Sequence, residues 1–429
     1  MTIRFLAIVG LAGMSFAPSP TAVEEFAKIN QQAHAANTAG DKQAYLSAAL
    51  KMEELLNGAP NAVETVAKAY AAVGDVPHAL AELSRFANMG QTDEALREDK
   101  NRRFSILQGL PQYRSILERF AANRTAVSRA ERAFALSDSG LVAEDIDYDA
   151  QSKSFLVTSV LEKKIVRVAL DGTCSRFVDS PSHWPMLALK IDAKRRLAWA
   201  TETAIDGFTA VSKADWGRSA VLCFNLDSGA LLHRLEGPAH AAFGDMVLDS
   251  NGNPIVSDGD GGGLYRVTGG RLEEINRRDF ISPQTPAMLP DGKRVFVPDY
   301  LRGIGIEDLE SGQVTWLGTE SRAEHALNGV DGLYFDGGAL LATQNGTSPE
   351  RVVRIRLDGG LSRVVSEEII ERATPTLGDP THGVIVGDSF WYIANSGWSN
   401  LDEHGDWKAG SKPTPALVMR FRLGRTPVG

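Results

Sequence analysis

The hydrophobic positions of the chain follow two different periods, and the change between them divides the sequence into two regions. Between residues 23 and 130, apolar residues recur every three or four positions, as at Tyr45, Ala48 and Met52. This spacing is typical of amphipathic helices. From Phe134 onwards the apolar residues form short alternating runs separated by turn residues, which predicts many short strands.

The helical region contains an internal repeat. Gly40-Asp41 and Gly74-Asp75 are 34 residues apart, and each separates two predicted helices. Thirty-four residues is the tetratricopeptide (TPR) period, in which helical hairpins stack to cover one another's apolar faces. Because two repeats are few, we expect residues 104–120 to cap the array and the array to contact the second domain. It serves either as a structural cap or as a peptide-binding groove.

Six segments of the second region share one layout: an inner strand, a turn rich in Asp or Gly, and a second strand. These turns begin near Asp149, Asp192, Asp249, Pro290, Phe335 and Val386. A second series of turns, in phase with the first, follows the third strands. Two such series predict six four-stranded blades. The sequence that follows the third strand of the sixth blade is too short for a fourth strand. We therefore expect residues 132–136 to supply this outer strand and close the ring. The predicted fold is therefore mainly β: a TPR-like α-helical domain at residues 23–130, then a six-bladed β-propeller at residues 131–429.

Residues 1–22 have the order of a secretory signal peptide: a charged start with Arg4, an apolar run over residues 5–16, and small residues up to Ala22. The apolar run is shorter than the roughly 20 residues that cross a bilayer, although a membrane anchor is the alternative. We expect cleavage near Ala22, a periplasmic or secreted location, and no membrane contact afterwards.

Charge and cysteine content narrow the classes of partner. The formal net charge is −9, which argues against nucleic acid and anionic membranes because both require a basic face. A small-molecule ligand or substrate, and a protein bound through the TPR-like domain, remain. The chain has two cysteines, Cys174 and Cys223, and no CxxC motif. An oxidising compartment would permit a disulfide between them, and the sequence leaves that pairing open.

Polar residues at the starts of the predicted inner strands provide the candidate site. They are Glu144, Asp245, Gln284, Asp331 and His382. In a propeller these strands surround one tunnel, where unpaired carboxylates repel one another unless a cation, a proton or a ligand intervenes. Oxygen ligands favour Ca²⁺ or Mg²⁺. Asp331, Asp245 or His382 could take a proton from water, and the alternative for each is simple hydrogen bonding at a strand end.

Three of these segments resemble the regucalcin and gluconolactonase family (senescence marker protein/gluconolactonase/LRE-like), and more distantly the strictosidine synthase-like and paraoxonase-like propellers. They are residues 143–149 around Glu144, residues 283–292 around Gln284 and residues 330–333 around Asp331. The resemblance covers roughly residues 134–424. It implies one divalent cation held by Glu144, Gln284 and Asp331, and hydrolysis of a lactone or ester. Gln284 stands where the family usually has Asn.

Two long insertions are expected to overhang the tunnel mouth, at residues 202–218 in blade two and residues 396–415 in blade six. Their aromatic residues, Phe208, Trp216, Trp398 and Trp407, either wall a binding pocket or pack between blades. The sequence thus favours two functions, a metal-dependent lactone or ester hydrolase and a non-catalytic propeller that binds a ligand or protein.

Overall fold

The computed structural model describes residues 20–93, 96, 102–276, 278–319 and 325–424. The predicted signal peptide, up to residue 19, lies outside these residues. The N-terminal domain consists of helices α1 (Ala22–Ala39), α2 (Lys42–Leu55), α3 (Pro60–Val73), α4 (Val76–Asn88) and α5 (Pro111–Asn123), with a 3-10 helix at Arg102–Leu107 before α5. Of the helices in the described ranges, none is long and apolar enough to span a membrane.

The 34-residue repeat is a repeat of helix caps. Gly40 and Gly74 end α1 and α3 in the left-handed conformation, with φ of 69° and 88°, where glycine has no steric penalty. Asp41 and Asp75 then cap α2 and α4, because each side chain accepts backbone N–H groups of the next turn. The two predicted helical hairpins are confirmed.

The helical domain packs on the propeller, as expected. Phe104 and Phe120 are buried in one apolar core with helices α3 and α4, and Ala326 of the propeller belongs to the same core. A second cluster joins Leu56 to Ile281 of the propeller. Residues 104–120 therefore complete the helical array at its contact with the second domain.

The propeller has six blades, each built around a four-stranded antiparallel sheet. Blade one contains β3 (Ala143–Asp149), β4 (Ser154–Ser159), β5 (Lys164–Val168) and β6 (Cys174–Asp179). Blade two contains β7 (Met186–Asp192), β8 (Leu197–Thr203), β9 (Ser219–Asn225) and β10 (Leu231–Glu236). Blade three contains β11 (Phe243–Leu248), β12 (Pro254–Asp258), β13 (Leu264–Thr268) and β14 (Arg271–Glu274).

Blade four contains β15 (Ala287–Met288), β16 (Arg294–Asp299), β17 (Gly303–Asp308) and β18 (Val314–Trp316). Blade five contains β20 (Leu333–Asp336), β21 (Ala339–Gln344), β22 (Arg351–Leu357) and β23 (Arg363–Arg372), and the short strands β1 (Val127–Ser128) and β19 (Gly318–Thr319) both pair with β23. Blade six contains β24 (Gly383–Val386), β25 (Ser389–Ile393), β26 (Leu417–Arg422) and β2 (Glu131–Ala135).

The ring closes through a strand from the start of the domain. β2 pairs antiparallel with β26, with Glu131 opposite Arg420 and Phe134 opposite Val418. The prediction that residues near 132–136 complete the sixth blade is confirmed. Phe134 packs with Phe155 of blade one, at 5.5 Å between ring centroids, so the closing strand also joins the first and last blades.

The burial of the second strand of each blade shows how neighbouring blades pack together. All six residues of β4 and all six of β21 are buried, because both faces of a blade pack against its neighbours. Inner strands begin on one face of the disc and second strands return to it. We call this the mouth face. The two cysteines lie in different blades, and both are free, so the disulfide that the sequence left open is not formed.

Candidate functional site

Four of the predicted site residues meet at the start of the tunnel. Ligand atoms of Glu144, Asp331 and His382 lie within 4.8 Å of one another. Asp245 joins them through a hydrogen bond of 2.6 Å between its Oδ1 and Nε2 of His382. These residues come from blades one, three, five and six, and each stands at or just before an inner strand. The polar residues at the starts of the inner strands therefore converge on one point, as expected of a propeller.

His382 is fixed through both ring nitrogens. Besides the bond to Asp245, its Nδ1 lies 2.9 Å from the carbonyl oxygen of Glu144. Two acceptors fit an imidazolium, in which both nitrogens donate. Burial lowers the pKa of His382, but the surrounding charges of Asp145, Asp331 and Asp245 outweigh it and hold the pKa well above its usual range. This geometry leaves no free lone pair, so it favours a fixed positive charge over the general-base role considered for His382.

Asp245 is equally engaged. Its Oδ1 also accepts the hydroxyl proton of Thr285, and the residue is buried. Thr285 was not identified from the sequence, although a hydroxyl residue beside Gln284 was visible there. Because Asp245 already holds two donors, it acts as the partner of His382 in this structure and is a poorer proton acceptor for water.

Glu144 is held by the blade-six insertion. The indole Nε1 of Trp398 donates to Oε2 of Glu144 at 2.5 Å. Burial, followed by the charge of Asp331, raises the pKa of Glu144 to about 8. Its Oε1 accepts no hydrogen bond from any residue in the described part of the chain.

Asp331 is held by a relay from the blade-four and blade-five loops. The amide Nδ2 of Asn345 donates to Oδ2 of Asp331 at 2.8 Å, and the hydroxyl of Tyr300 donates to Oδ1 of Asn345 at 3.0 Å. Burial raises the pKa of Asp331 to about 7, with His382 opposing the shift and Asp245 adding to it. Like Glu144, Asp331 keeps one oxygen, Oδ1, with no donor among the described residues.

The charges around the tunnel leave these two carboxylates uncompensated. His382 pairs with Asp245, and Lys190 pairs with Asp145 at 2.7 Å. Glu144 and Asp331 have no such partner among the residues described. Glu144 is half-buried and Asp331 is buried, and each keeps one free oxygen. When ionised, the two carboxylates fit a divalent cation that prefers oxygen ligands, such as Ca²⁺ or Mg²⁺.

Gln284 is half-buried and lies just before the inner strand β15. Its amide Nε2 donates to the carbonyl and hydroxyl oxygens of Ser282, at 3.3 and 3.2 Å. With the nitrogen held in this way, the amide oxygen is the atom left to act as a ligand. Its role as a metal ligand remains a prediction from the family resemblance.

The two predicted insertions contact each other over blade one. They comprise residues 204–218 (the blade-two loop) and residues 394–416 (the blade-six loop). Thr209 bonds to the carbonyl of His404 and to the carboxylate of Asp406, both at 2.9 Å, and the rings of Phe208 and Trp398 are 6.2 Å apart. Their aromatic residues pack in one apolar cluster, and Trp398 also reaches Glu144. The packing role considered for these aromatic residues is therefore present, and their role as walls of a binding pocket stays a prediction.

The helical domain contacts the opposite side of the mouth. It docks on the loops that carry Tyr300 and Asn345: the cluster around Leu56 includes Leu301, and the backbone N–H of Thr92 donates to the carbonyl of Ser348 at 2.7 Å. The candidate site is thus bounded by the two insertions on one side and by the helical domain on the other.

Fold and site together define an acidic-mouthed six-bladed β-propeller with an N-terminal helical domain. No protein-family model matches the sequence, and no curated protein matches it. The chain is similar to a putative oxidoreductase (glucose dehydrogenase) from Thermus thermophilus, at 17% identity over 69% of this chain and 99% of that chain, with a TM-score of 0.49.

Two further solved structures correspond to the resemblance seen in the sequence. A gluconolactonase from Xanthomonas campestris shares 14% identity over 70% of this chain and 100% of that chain, with a TM-score of 0.46. A calcium-binding regucalcin from Agrobacterium tumefaciens shares 16% identity over 68% of this chain and 96% of that chain, with a TM-score of 0.46. The expected likeness to these propellers is confirmed, and at these identities it concerns the fold alone.

Proposed function

We propose that this protein is a cation-dependent hydrolase of a lactone or related ester, with its active centre at the tunnel mouth. The observation that supports this proposal is the pair of uncompensated carboxylates, Glu144 and Asp331, facing one tunnel. These two residues, with Gln284 as the third ligand, would hold Ca²⁺ or Mg²⁺. When bound, such a cation supplies Lewis-acid polarisation of a carbonyl oxygen.

Asp331 is the best placed proton acceptor for an attacking water. Asp245 and His382 are engaged with each other, whereas Oδ1 of Asp331 carries no donor among the described residues. Burial raises the pKa of Asp331 to about 7 in the cation-free protein, and a bound cation would lower it, so Asp331 would be ionised near neutral pH, as a general base must be. Trp398 and Asn345 hold the second oxygens of the two carboxylates and so fix their orientation. His382 contributes a positive charge beside the site.

The alternative is a non-catalytic propeller that binds a small ligand, with the helical domain as a cap or a docking surface for a protein. One observation favours it: of the three residues considered for proton transfer, two are locked in a hydrogen-bonded pair. Binding of a ligand at the mouth needs only the geometry of the cluster, whereas hydrolysis also needs a free group that accepts a proton from water.

Elemental analysis and turnover together separate these functions. We expect about one divalent ion per chain, and chelator-sensitive hydrolysis of at least one member of a panel of aldonolactones and acyl lactones. Glu144→Gln and Asp331→Asn should lose both properties. Glu307→Gln is the matched control, because Glu307 is also a buried carboxylate whose pKa burial raises to about 8, but it lies in β17, outside the site. A bound ion without turnover would favour the binding function. No ion and no turnover would refute the proposed hydrolase.

We further propose that the protein is exported and cleaved near Ala22, as the N-terminal pattern predicts. Fractionation of the producing cell and mass spectrometry of the mature N-terminus test this proposal. An uncleaved cytoplasmic chain would contradict it without affecting the active centre, because the described site begins at Glu144.

A further inference from the structure

A cavity of about 260 Å³ lies further along the tunnel than the mouth cluster. Residues of all six innermost strands, or their immediate starts, line it. Asp147 stands three residues after Glu144 in β3, and Lys190 is the fifth residue of β7, so the cavity lies on the side of the cluster away from the mouth face. Its lining includes none of the four clustered residues, so the cavity adjoins the proposed cation site without being formed by it.

The wall of this cavity is mostly apolar. Its apolar lining comes mainly from side chains of four blades, all half-buried except the buried Leu333: Val247, Met288, Leu333, Phe335, Val384 and Ile385. Apolar side chains around a space with a few convergent polar groups are typical of small-molecule sites. The volume fits a ligand at the small end of that class.

Two hydrogen-bond donors remain unused where the cavity meets the polar cluster. The ammonium of Lys190 has three N–H groups and gives two of them, to Oδ2 of Asp145 and to the carbonyl of Leu189, both at 2.7 Å. The hydroxyl of Tyr334 accepts from the backbone N–H of Gly383 at 2.7 Å, and its own proton has no acceptor among the residues described. A ligand that reaches this end should therefore carry an acceptor oxygen.

The local charge decides which kind of acceptor fits. Lys190 is neutralised by Asp145, and Asp147 adds a second carboxylate to the lining. Burial raises the pKa of Asp147 to about 6, so Asp147 is largely ionised at neutral pH. The sum over Lys190, Asp145 and Asp147 is negative, which repels a carboxylate ligand.

We propose that this cavity binds a small neutral molecule with an apolar body and a single carbonyl oxygen, which accepts from Lys190 and Tyr334. The proposal is independent of the cation and of hydrolysis at the mouth. It requires only the space and the two donors.

Cyclohexanone is a suitable probe, with cyclohexanecarboxylate as its charged counterpart, and binding is measured by NMR titration and calorimetry at about pH 7.5, where Asp147 is ionised. We expect saturable binding of the ketone and at least tenfold weaker binding of the carboxylate. Val247→Phe and Ile385→Phe, in different blades, should each abolish ketone binding by filling the space. Tyr334→Phe should weaken it about three- to tenfold, the effect of one lost hydrogen bond.

Glu144→Gln is the control for binding at the mouth and should leave ketone affinity unchanged. Lys190 is left intact, because its removal would leave the buried carboxylate of Asp145 without an ion-pair partner. Thermal unfolding of each variant establishes that it is folded. If one of the occluding variants, Val247→Phe or Ile385→Phe, does not fold, the other one provides the test. No saturable binding to the wild type, equal affinity for the carboxylate, or full binding to a folded occluding variant would overturn the proposal.

Discussion

Trp398, in the insertion of the last blade, donates its indole N–H to the carboxylate of Glu144 on the innermost strand of the first blade. The two residues are 254 positions apart. This contact connects the loop that covers the mouth directly to a proposed cation ligand. An opening of the loop would remove a donor that favours the charged form of Glu144.

Replacing Trp398 by Phe should therefore weaken cation binding. The variant keeps an aromatic ring but loses the hydrogen bond to a charged group, and we expect a loss of about tenfold in Ca²⁺ affinity at neutral pH. Calorimetric titration measures it. Trp407→Phe is the matched control, since Trp407 is half-buried in the same apolar cluster and has no bond to Glu144. Equal losses in both variants would show that the loop acts through packing alone.

The stability of the cation-free protein should fall as pH rises from about 4 to about 8. Burial holds the pKa of Glu144 near 8 and that of Asp331 near 7, against about 4 in the unfolded chain. Between these values the native state binds more protons than the unfolded state, so the free energy of unfolding decreases with pH. Below about pH 4 both states are protonated and the penalty is absent.

Urea unfolding in chelator at about pH 5 and about pH 8 measures this slope. Adding Ca²⁺ should raise stability far more at the higher pH than at the lower, because the ion needs the ionised carboxylates. Glu307→Gln should flatten the slope but keep the Ca²⁺ effect, whereas Glu144→Gln should reduce both. A Ca²⁺ effect that is independent of pH would place the ion elsewhere.

A bidentate ion pair between the first two blades makes the opposite pH prediction. Arg196 donates to both carboxylate oxygens of buried Asp149, at 2.7 and 2.9 Å, and these bonds hold the pKa of Asp149 below its usual range. Its stabilisation is present above about pH 4 and is lost on further acidification. Arg196→Ala should cost about 2 kcal/mol at neutral pH, the loss of hydrogen bonds to a charged group, because Arg167 remains 3.9 Å from Asp149. Arg176→Ala, which removes a pair with solvent-exposed Asp179, should cost under about 1 kcal/mol. Similar losses would mean that Asp149 finds another partner.

The sequence predicted most of the fold because its signals are local. The Gly-Asp caps at residues 40–41 and 74–75, and turn aspartates such as Asp149, each act within a few residues. The inner-strand starts were likewise visible, and propeller geometry brings them to one axis. The contacts of these residues were not predictable. The insertion with Trp398 was expected to overhang the mouth, but its bond to Glu144, like the contacts of Asn345 and Thr285, depends on tertiary packing. Likewise, the two hydrogen bonds that engage the ring of His382 come from Glu144 and Asp245, which lie in other blades.

The helical domain, over its described residues, makes no hydrogen bond or ion pair with the four clustered residues, but it contacts a loop that does. Gln91 is buried at the contact between domains, and its Oε1 accepts the backbone N–H of Ser348 at 3.2 Å. Ser348 is three residues from Asn345, the donor to Asp331. Loss of the bond should loosen this loop and with it the orientation of the Asp331 carboxylate.

Gln91→Ala should therefore lower Ca²⁺ affinity about three- to tenfold, although residue 91 is not in the site. Gln32→Ala, on the exposed surface of α1, is the matched control and should have no effect. A double-mutant cycle with Asn345→Ala separates this coupling from general destabilisation. If Gln91 acts through Asn345, its replacement changes nothing further once Asn345 is gone. Additive losses, or a lower melting temperature with unchanged affinity, would mean that the helical domain stabilises the propeller without positioning Asp331.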